Sequence, residues 1–494
     1  MLAKMIARTE LSRLADPRLW REQAYVAGKW QAAENGGTFA VVDPASGETL
    51  GRAPAMGTAE TATAIAAAQR AFPGWRGLLP QERSLFLRRW FDLIVACRED
   101  LAVVMTLEQG KPLAEARGEI DYAASFVEWY AEEAKRTNIE GVTSHLPDAE
   151  LSIRREPLGV AALVTPWNFP AAMITRKAAA ALAAGCTAVV HPSSETPFSA
   201  LALAELADRA GLPAGVFNVV TGEAPAIVAT LCASQHVRAL SFTGSTRVGR
   251  IIAAQCAPSM KRLVLELGGH APFLVFADAD IERAVEHCLA AKFATSGQDC
   301  LAANRIYVER AVYEDFTTRF AARVAALRVG AGLAGGTDIG PLINEAAVVK
   351  MEAQVGDALA KGARLLAGGG RHRLGGNFFQ PTVLADVPDG ASIMREETFG
   401  PIAALAPFDD EAEIVARANN SEYGLVAYVH TSNTARAGRL VRALDYGMVA
   451  VNRTRITGPP VPFGGCKQSG LGREGSRLGL EAFTEVKYVC IDAA

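Results

Sequence analysis

Short apolar runs and segments of helical period alternate along most of this chain, with turn residues between them. From position 160 the pattern predicts strand 160–164, helix 173–184, strand 188–190, helix 196–210, strand 216–220, helix 224–232, strand 239–242, helix 247–255 and strand 262–266. Strands that alternate with helices in this way predict a parallel sheet covered by helices. The alternation then restarts. Strands are expected over 273–276, 305–308, 403–407, 426–430 and 448–451, and helices over 281–294, 312–327, 346–361, 411–418 and 434–444. Upstream, 60–135 reads as helical, with apolar residues three and four apart over 83–98. Pro73 and Pro80 are expected to break that region. A polar stretch follows over 137–150. The expected class is α/β, with two parallel-sheet lobes, a hinge at Gly268 and Gly269, and a ligand cleft at the carboxyl ends of the strands.

Composition narrows the partners. A chain of 494 residues, half of them hydrophobic and 21% charged, exceeds one core and is not disordered. Fifty basic residues against fifty-three acidic ones leave a net charge of −3, which argues against nucleic acid and against a membrane surface as partners. The most membrane-like run, 178–190, holds thirteen residues, whereas a span needs about 20. Lys4, Arg8 and Arg13 surround a few apolar residues without a secretory core, so a short surface helix is expected there. The eight cysteines form no C-x-x-C and stand near no metal-ligand spacing. That predicts free thiols, no bound metal, and a reducing, cytoplasmic location.

Four stretches carry candidate chemistry. Thr243, Gly244 and Ser245 lie in a turn between a strand and a helix, where backbone amides can approach a phosphate; an ordinary tight turn has the same look. Cys300 follows Ser296-Gly297-Gln298-Asp299 in a Gly-marked turn. A thiol at such a boundary can be exposed and activated, unlike Cys186 or Cys288 in apolar contexts. Glu266 ends an apolar strand, where a carboxylate needs a partner or a task, unless it faces solvent. Asn168 stands between Trp167 and Phe169, clamped by Pro166 and Pro170. Its amide can serve a developing oxyanion or cap the next helix.

Taken together these stretches resemble the aldehyde dehydrogenase superfamily. The resemblance rests on PWNFP at 166–170, FTGST at 242–246, LELGG at 265–269, GQDC at 297–300, EETFGP at 396–401 and PFGGCKQSGLGRE at 462–474, in the family's order over nearly the whole chain. The strings at 170–186, 211–222 and 469–481 are most similar to succinate-semialdehyde dehydrogenases. The resemblance implies a Rossmann-type cofactor lobe over 1–136 and 156–267, a catalytic lobe over 268–480, and an oligomerisation arm over 137–155 and 481–494. It implies Cys300 as nucleophile, Asn168 with the Cys300 N–H as oxyanion donors, Glu266 as the base of hydrolysis, and Lys177 near the catalytic water. NADP or NAD would be held by Thr165, Trp167, His191, Ser194, Thr243, Gly244, Ser245, Gly249, Glu397 and Phe399. Substrate would meet Arg176, Arg455 and Thr457, and the assembly would be a homodimer or homotetramer.

The departures from the family pattern shape the expectations. His191 stands where the family has lysine, and Ser194 where NAD-preferring members often carry glutamate, with Glu195 one place later. NADP or dual use is the expectation. Ala294 replaces one of two arginines that hold the succinate semialdehyde carboxylate. Arg453 and Arg455 could compensate or face solvent, so a bulkier or aromatic aldehyde competes as substrate. Ala302 takes the place of a second cysteine, which predicts no disulfide switch at Cys300. His270 is expected to make a local hydrogen bond. An esterase-like enzyme and a non-catalytic relative are the other readings. The second would be expected to lose Cys300, Glu266 or Asn168, and all three are present.

Overall fold

The computed structural model describes residues 12–136 and 139–493. The short helix expected around Lys4 and Arg8 lies outside them, as do positions 137 and 138 of the expected arm. The first lobe is built on an eight-stranded sheet. Its five parallel strands run in the order Phe217–Val219, Thr187–His191, Val160–Val164, Val237–Thr243 and Arg262–Glu266. Strands such as Val160–Val164 are apolar and buried throughout, as they must be when helices cover both faces. One face packs under Trp75, Trp90 and Phe126, the other under Met56, Ile227 and Ile252.

The second lobe has seven strands in the order Arg364–Ala367, Thr382–Ala385, Ile402–Phe408, Ala303–Glu309, Ala271–Val275, Val426–His430 and Met448–Val451. All neighbours are parallel except the first pair. The chain crosses between lobes at Leu267, Gly268, Gly269 and His270. A Cβ on Gly269 would lie 2.1 Å from the Cys300 carbonyl oxygen, so the crossing and the nucleophile loop pack backbone to backbone.

Three expectations need correction. Pro73 lies inside helix Thr58–Gly77, and the break falls at Leu78 and Leu79, before Pro80 opens helix Pro80–Ala96. The carbonyl that Pro73 leaves unpaired belongs to Gln69, which is half-buried and so within reach of water. Residues 470–480, expected in the second lobe, return to the first. Gly470–Leu471 pairs antiparallel with Arg262–Glu266 and closes that sheet edge, and helix Ser476–Glu481 packs on helix Ala172–Ala184. His270 is buried, and neither ring nitrogen makes a hydrogen bond of good geometry, the Met394 main chain being the polar group beside it. Burial holds its pKa well below the usual histidine range, so the ring packs uncharged.

A three-stranded antiparallel sheet stands apart from both lobes. Thr484–Asp492 pairs along the length of Ala149–Pro157, whose other edge carries Glu140–Val142. All eight cysteines are free thiols. Among the described residues no helix is long and apolar enough to cross a membrane, and no cluster suits a metal ion.

Candidate active site

Helix Ile281–Phe293 ends in a loop of unusual backbone. Thr295, Ser296 and Gly297 take successive φ values of 50°, 57° and 73°. Left-handed conformations cost non-glycine residues roughly 1–2 kcal/mol each, so the surroundings must hold them. The Thr295 N–H donates to Glu115 Oε2 at 2.9 Å, Ser296 Oγ donates to the Gly340 carbonyl at 3.0 Å, and the Ile343 N–H donates to Gln298 Oε1 at 3.0 Å. A Cβ on Gly297 would stand 2.2 Å from the Gly400 carbonyl oxygen. This clamp presents Cys300 half-buried at a cavity wall, while Cys186 and Cys288 lie in the core. Burial pushes the Cys300 thiol well above its ordinary pKa. The Asp299 and Glu397 carboxylates add to that, and Arg176 opposes it.

Asn168 Nδ2 donates to the Gln298 carbonyl at 3.0 Å, which ties its amide to the loop and leaves its second hydrogen for another acceptor. The Asn168 main-chain carbonyl accepts from Lys111 Nζ at 2.7 Å, and Lys111 pairs with Glu119 at 2.5 Å. Glu119 also accepts from the Ala171 and Ala172 N–H groups at 3.0 and 3.2 Å, at the start of helix Ala172–Ala184.

Glu266 is buried, and neither of its carboxylate oxygens has a hydrogen-bond partner. Burial, with the Glu474 charge second, pushes its carboxyl well above the usual range, against Arg176, Lys177 and Arg473. Glu474 is the centre of the charges behind it. It accepts from Arg176 Nε at 2.6 Å, from Ser241 Oγ at 3.0 Å, and from Lys177 Nζ. Lys177 Nζ also donates to Thr243 Oγ1 at 2.6 Å. The Arg176 guanidinium lies 4.1 Å from the Phe463 ring centroid.

A cavity of about 720 Å³ joins these groups. Trp167, Asn168, Arg176 and Cys300 line it. Thr243, Gly244, Ser245, Glu397, Phe399, Arg455 and Thr457 also belong to its wall. Trp167 and Phe399 meet edge to face, with centroids 5.5 Å apart. Glu397 Oε1 accepts from the Gly269 N–H at 2.8 Å, and burial raises its pKa to about 7. Six expected site residues are absent from this wall. Lys177 and Glu266 stand behind it, Thr165 is buried, and His191 Nδ1 bonds the Val220 carbonyl at 3.0 Å. Ser194 is exposed. Gly249 serves packing: a Cβ there would meet the Leu267 side chain at 2.4 Å.

The aldehyde dehydrogenase family profile matches residues 30–489. The chain belongs to this family. It is 55% identical over 479 residues to a succinate-semialdehyde dehydrogenase of Escherichia coli whose name specifies NADP(+), covering 97% of this chain and 99% of that one. It is 54% identical to a glutarate-semialdehyde dehydrogenase of Pseudomonas putida, with 97% and 99% covered. Among solved structures, a succinate-semialdehyde dehydrogenase from Burkholderia pseudomallei superposes with a TM-score of 0.96 at 53% identity, covering 97% of this chain and 99% of that one.

Membership makes the chain an enzyme of aldehyde oxidation, and the turn at 243–245 fits the dinucleotide that this chemistry needs. Ser245 caps helix Thr246–Cys256, its Oγ accepting from the Val248 N–H at 3.4 Å, and the positive helix end opens on the cavity. Motif reading gave no role to Glu474, although it closes the 462–474 string. Nor did it single out Lys111, Glu115 and Glu119. Glu115 and Glu119 stand four apart on helix Leu113–Glu133, but that helix also carries Arg117, Asp121, Glu128, Glu132 and Glu133, so the pair had no distinct signature.

Proposed function

We propose that this chain oxidises succinate semialdehyde to succinate with NADP or NAD, in the cytoplasm, as a homodimer or homotetramer. The single observation that carries the chemistry is the clamped loop that sets Cys300 against Asn168 in one cavity with Arg176. Cys300 Sγ, its proton already given up to solvent, attacks the aldehyde carbon as the thiolate. A C–S bond forms, and the carbonyl oxygen becomes an oxyanion that accepts from Asn168 Nδ2 and the Cys300 N–H. A bound nicotinamide dinucleotide supplies the acceptor for the hydride that leaves this carbon. Glu266 then takes a proton from water as that water attacks the thioester carbonyl. The C–S bond breaks and the thiolate returns. A base with a raised pKa suits this step, since it can accept and return a proton near neutral pH.

The relatives named for succinate and glutarate semialdehydes support an acid-bearing substrate. On the cofactor side, burial lowers the His191 pKa against the bond to the Val220 carbonyl, so the ring offers less charge to a 2′-phosphate than a lysine would. Ser194 is exposed, and Glu195 Oε1 accepts from Asn344 Nδ2 at 3.1 Å, which turns that carboxylate to a protein partner. Ser194 and the engaged Glu195 permit a 2′-phosphate while His191 weakens its hold, and the balance leans to NADP or dual use. One observation favours a second substrate reading: Ala290, Ala291 and Ala294 form a wall of small side chains that has room for a bulkier aldehyde. The test is reduction of NADP and of NAD with succinate semialdehyde, with Cys300→Ala as blank. Turnover in the wild type and none in the variant is expected. Turnover only with aromatic or bulky aldehydes would overturn the substrate.

A further inference from the structure

Beside the active-site cavity lies a second cavity of about 500 Å³. Arg283 and His287 of helix Ile281–Phe293 line it, together with Asn452, Arg453, Thr454 and Arg455. Thr454 and Arg455 line both cavities, so the two adjoin. Among the described residues Arg283, Arg453 and Arg455 have no carboxylate in an ion pair. Arginines nearby do: Arg319 and Arg323 pair with Glu282, and Arg436 with Asp278. Arg453 Nε donates to the Arg455 carbonyl at 3.0 Å, and His287 Nδ1 lies 3.0 Å from His430 Nε2, so neither supplies an anion. Of the acidic residues next to Arg283 and His287, Asp280 caps its helix and Glu286 lies 4.0 Å from Arg323.

The contrast is sharper on the active-site wall. Four described side chains there carry positive charge: Lys111, Arg176, Lys350 and Arg455. Lys111 is paired with Glu119, Arg176 with Glu474, and Lys350 donates to the Glu397 carbonyl at 2.7 Å. Only Arg455 is left without a protein acceptor. The alanine wall near it offers no polar atom to an acid.

We propose that Arg455, backed by Arg283 and Arg453, is the binding site for the acid end of the substrate, and that the side cavity admits ω-oxo-carboxylates longer than four carbons. This rests on the acid-semialdehyde reading above. The experiment measures KM and kcat for four- and five-carbon ω-oxo-carboxylates and for butanal and pentanal. The enzymes are the wild type, Arg455→Gln, Arg455→Lys and Arg283→Gln. Arg455 is exposed, so loss of a screened carboxylate–guanidinium contact there should raise KM for both acids by roughly threefold to fivefold relative to the uncharged aldehydes. The kcat ratio should hold within about threefold, since the contact is made equally in ground and transition states. Arg455→Lys should recover part of the loss. In Arg283→Gln the advantage of the five-carbon over the four-carbon acid should shrink. An acid-to-aldehyde KM ratio untouched in Arg455→Gln overturns the proposal, and a chain-length ratio untouched in Arg283→Gln overturns the part assigned to the side cavity. A wild type that prefers the uncharged aldehydes would sink the acid-semialdehyde reading itself, before any substitution is compared.

Discussion

A carboxyl group with two buried oxygens and no hydrogen bond pays its penalty in the charged form, and Glu266 is such a group. The folded state therefore holds that proton more tightly than the unfolded chain, where the ordinary value is 4.5. Its contribution to stability is fully present below that value and is lost as pH rises through the folded pKa. Glu266→Gln removes this titration. The variant is expected to gain stability over the wild type at pH 8 and to lose that gain towards pH 4.5, read by urea unfolding at both values. A difference independent of pH would refute the assignment. At this scale the sequence was legible where a residue's setting was local. Cys300 stood out by its glycine-marked turn and Asn168 by its flanking prolines. The Glu474 role was not legible, because its partners Arg176 and Lys177 lie nearly three hundred positions earlier, and pairing at that distance has no local signature.

At the scale of elements, alternation located every parallel strand of the first lobe and most of the second. A continuous apolar run bounded by turn residues leaves few other assignments. Thr382–Ala385 went unread because four residues between Pro381 and Asp386 are too few to establish a period. The N-terminal strands Ala24–Val26 and Lys29–Gln31 are shorter still. The nucleophile loop shows what periodicity cannot convey. Its conformation is imposed by Glu115, by Gly340 and Ile343, and by Gly400, which come from three separate segments. Gly297→Ala places a methyl group against the Gly400 carbonyl in a left-handed residue. It is expected to lower kcat by roughly tenfold or more, since small displacements of a positioned nucleophile carry penalties of that order. Stability should fall by about 1–3 kcal/mol. Steady-state kinetics beside urea unfolding checks both, and a variant with wild-type kcat would show that the loop tolerates the shift.

At the scale of the whole molecule, the three-stranded arm is the part that the isolated chain leaves unfinished. Thr484–Asp492 is an edge strand, and Val486 and Tyr488, two residues apart and so on one face, are each more than half exposed. Ile139, Val142 and Leu146 add exposed apolar surface around the same sheet. A long, apolar, unpaired edge invites association, and natural proteins cover such edges or blunt them with charge. The charges of this strand at Glu485 and Lys487 are engaged by Arg262 and Glu156, and Val486 and Tyr488 stay exposed beside them. A second copy is the partner that the family resemblance implies. Burying a valine and a tyrosine contributes roughly 1.5–3 kcal/mol apiece. The double substitution Val486→Lys and Tyr488→Lys should therefore weaken self-association by about a hundredfold or more. Light scattering across a dilution series is the measurement. Wild-type protein should run as a dimer or tetramer where the double variant is largely monomeric. A monomeric wild type would leave the exposed row without this role, and an unaltered oligomer in the double variant would place the interface elsewhere.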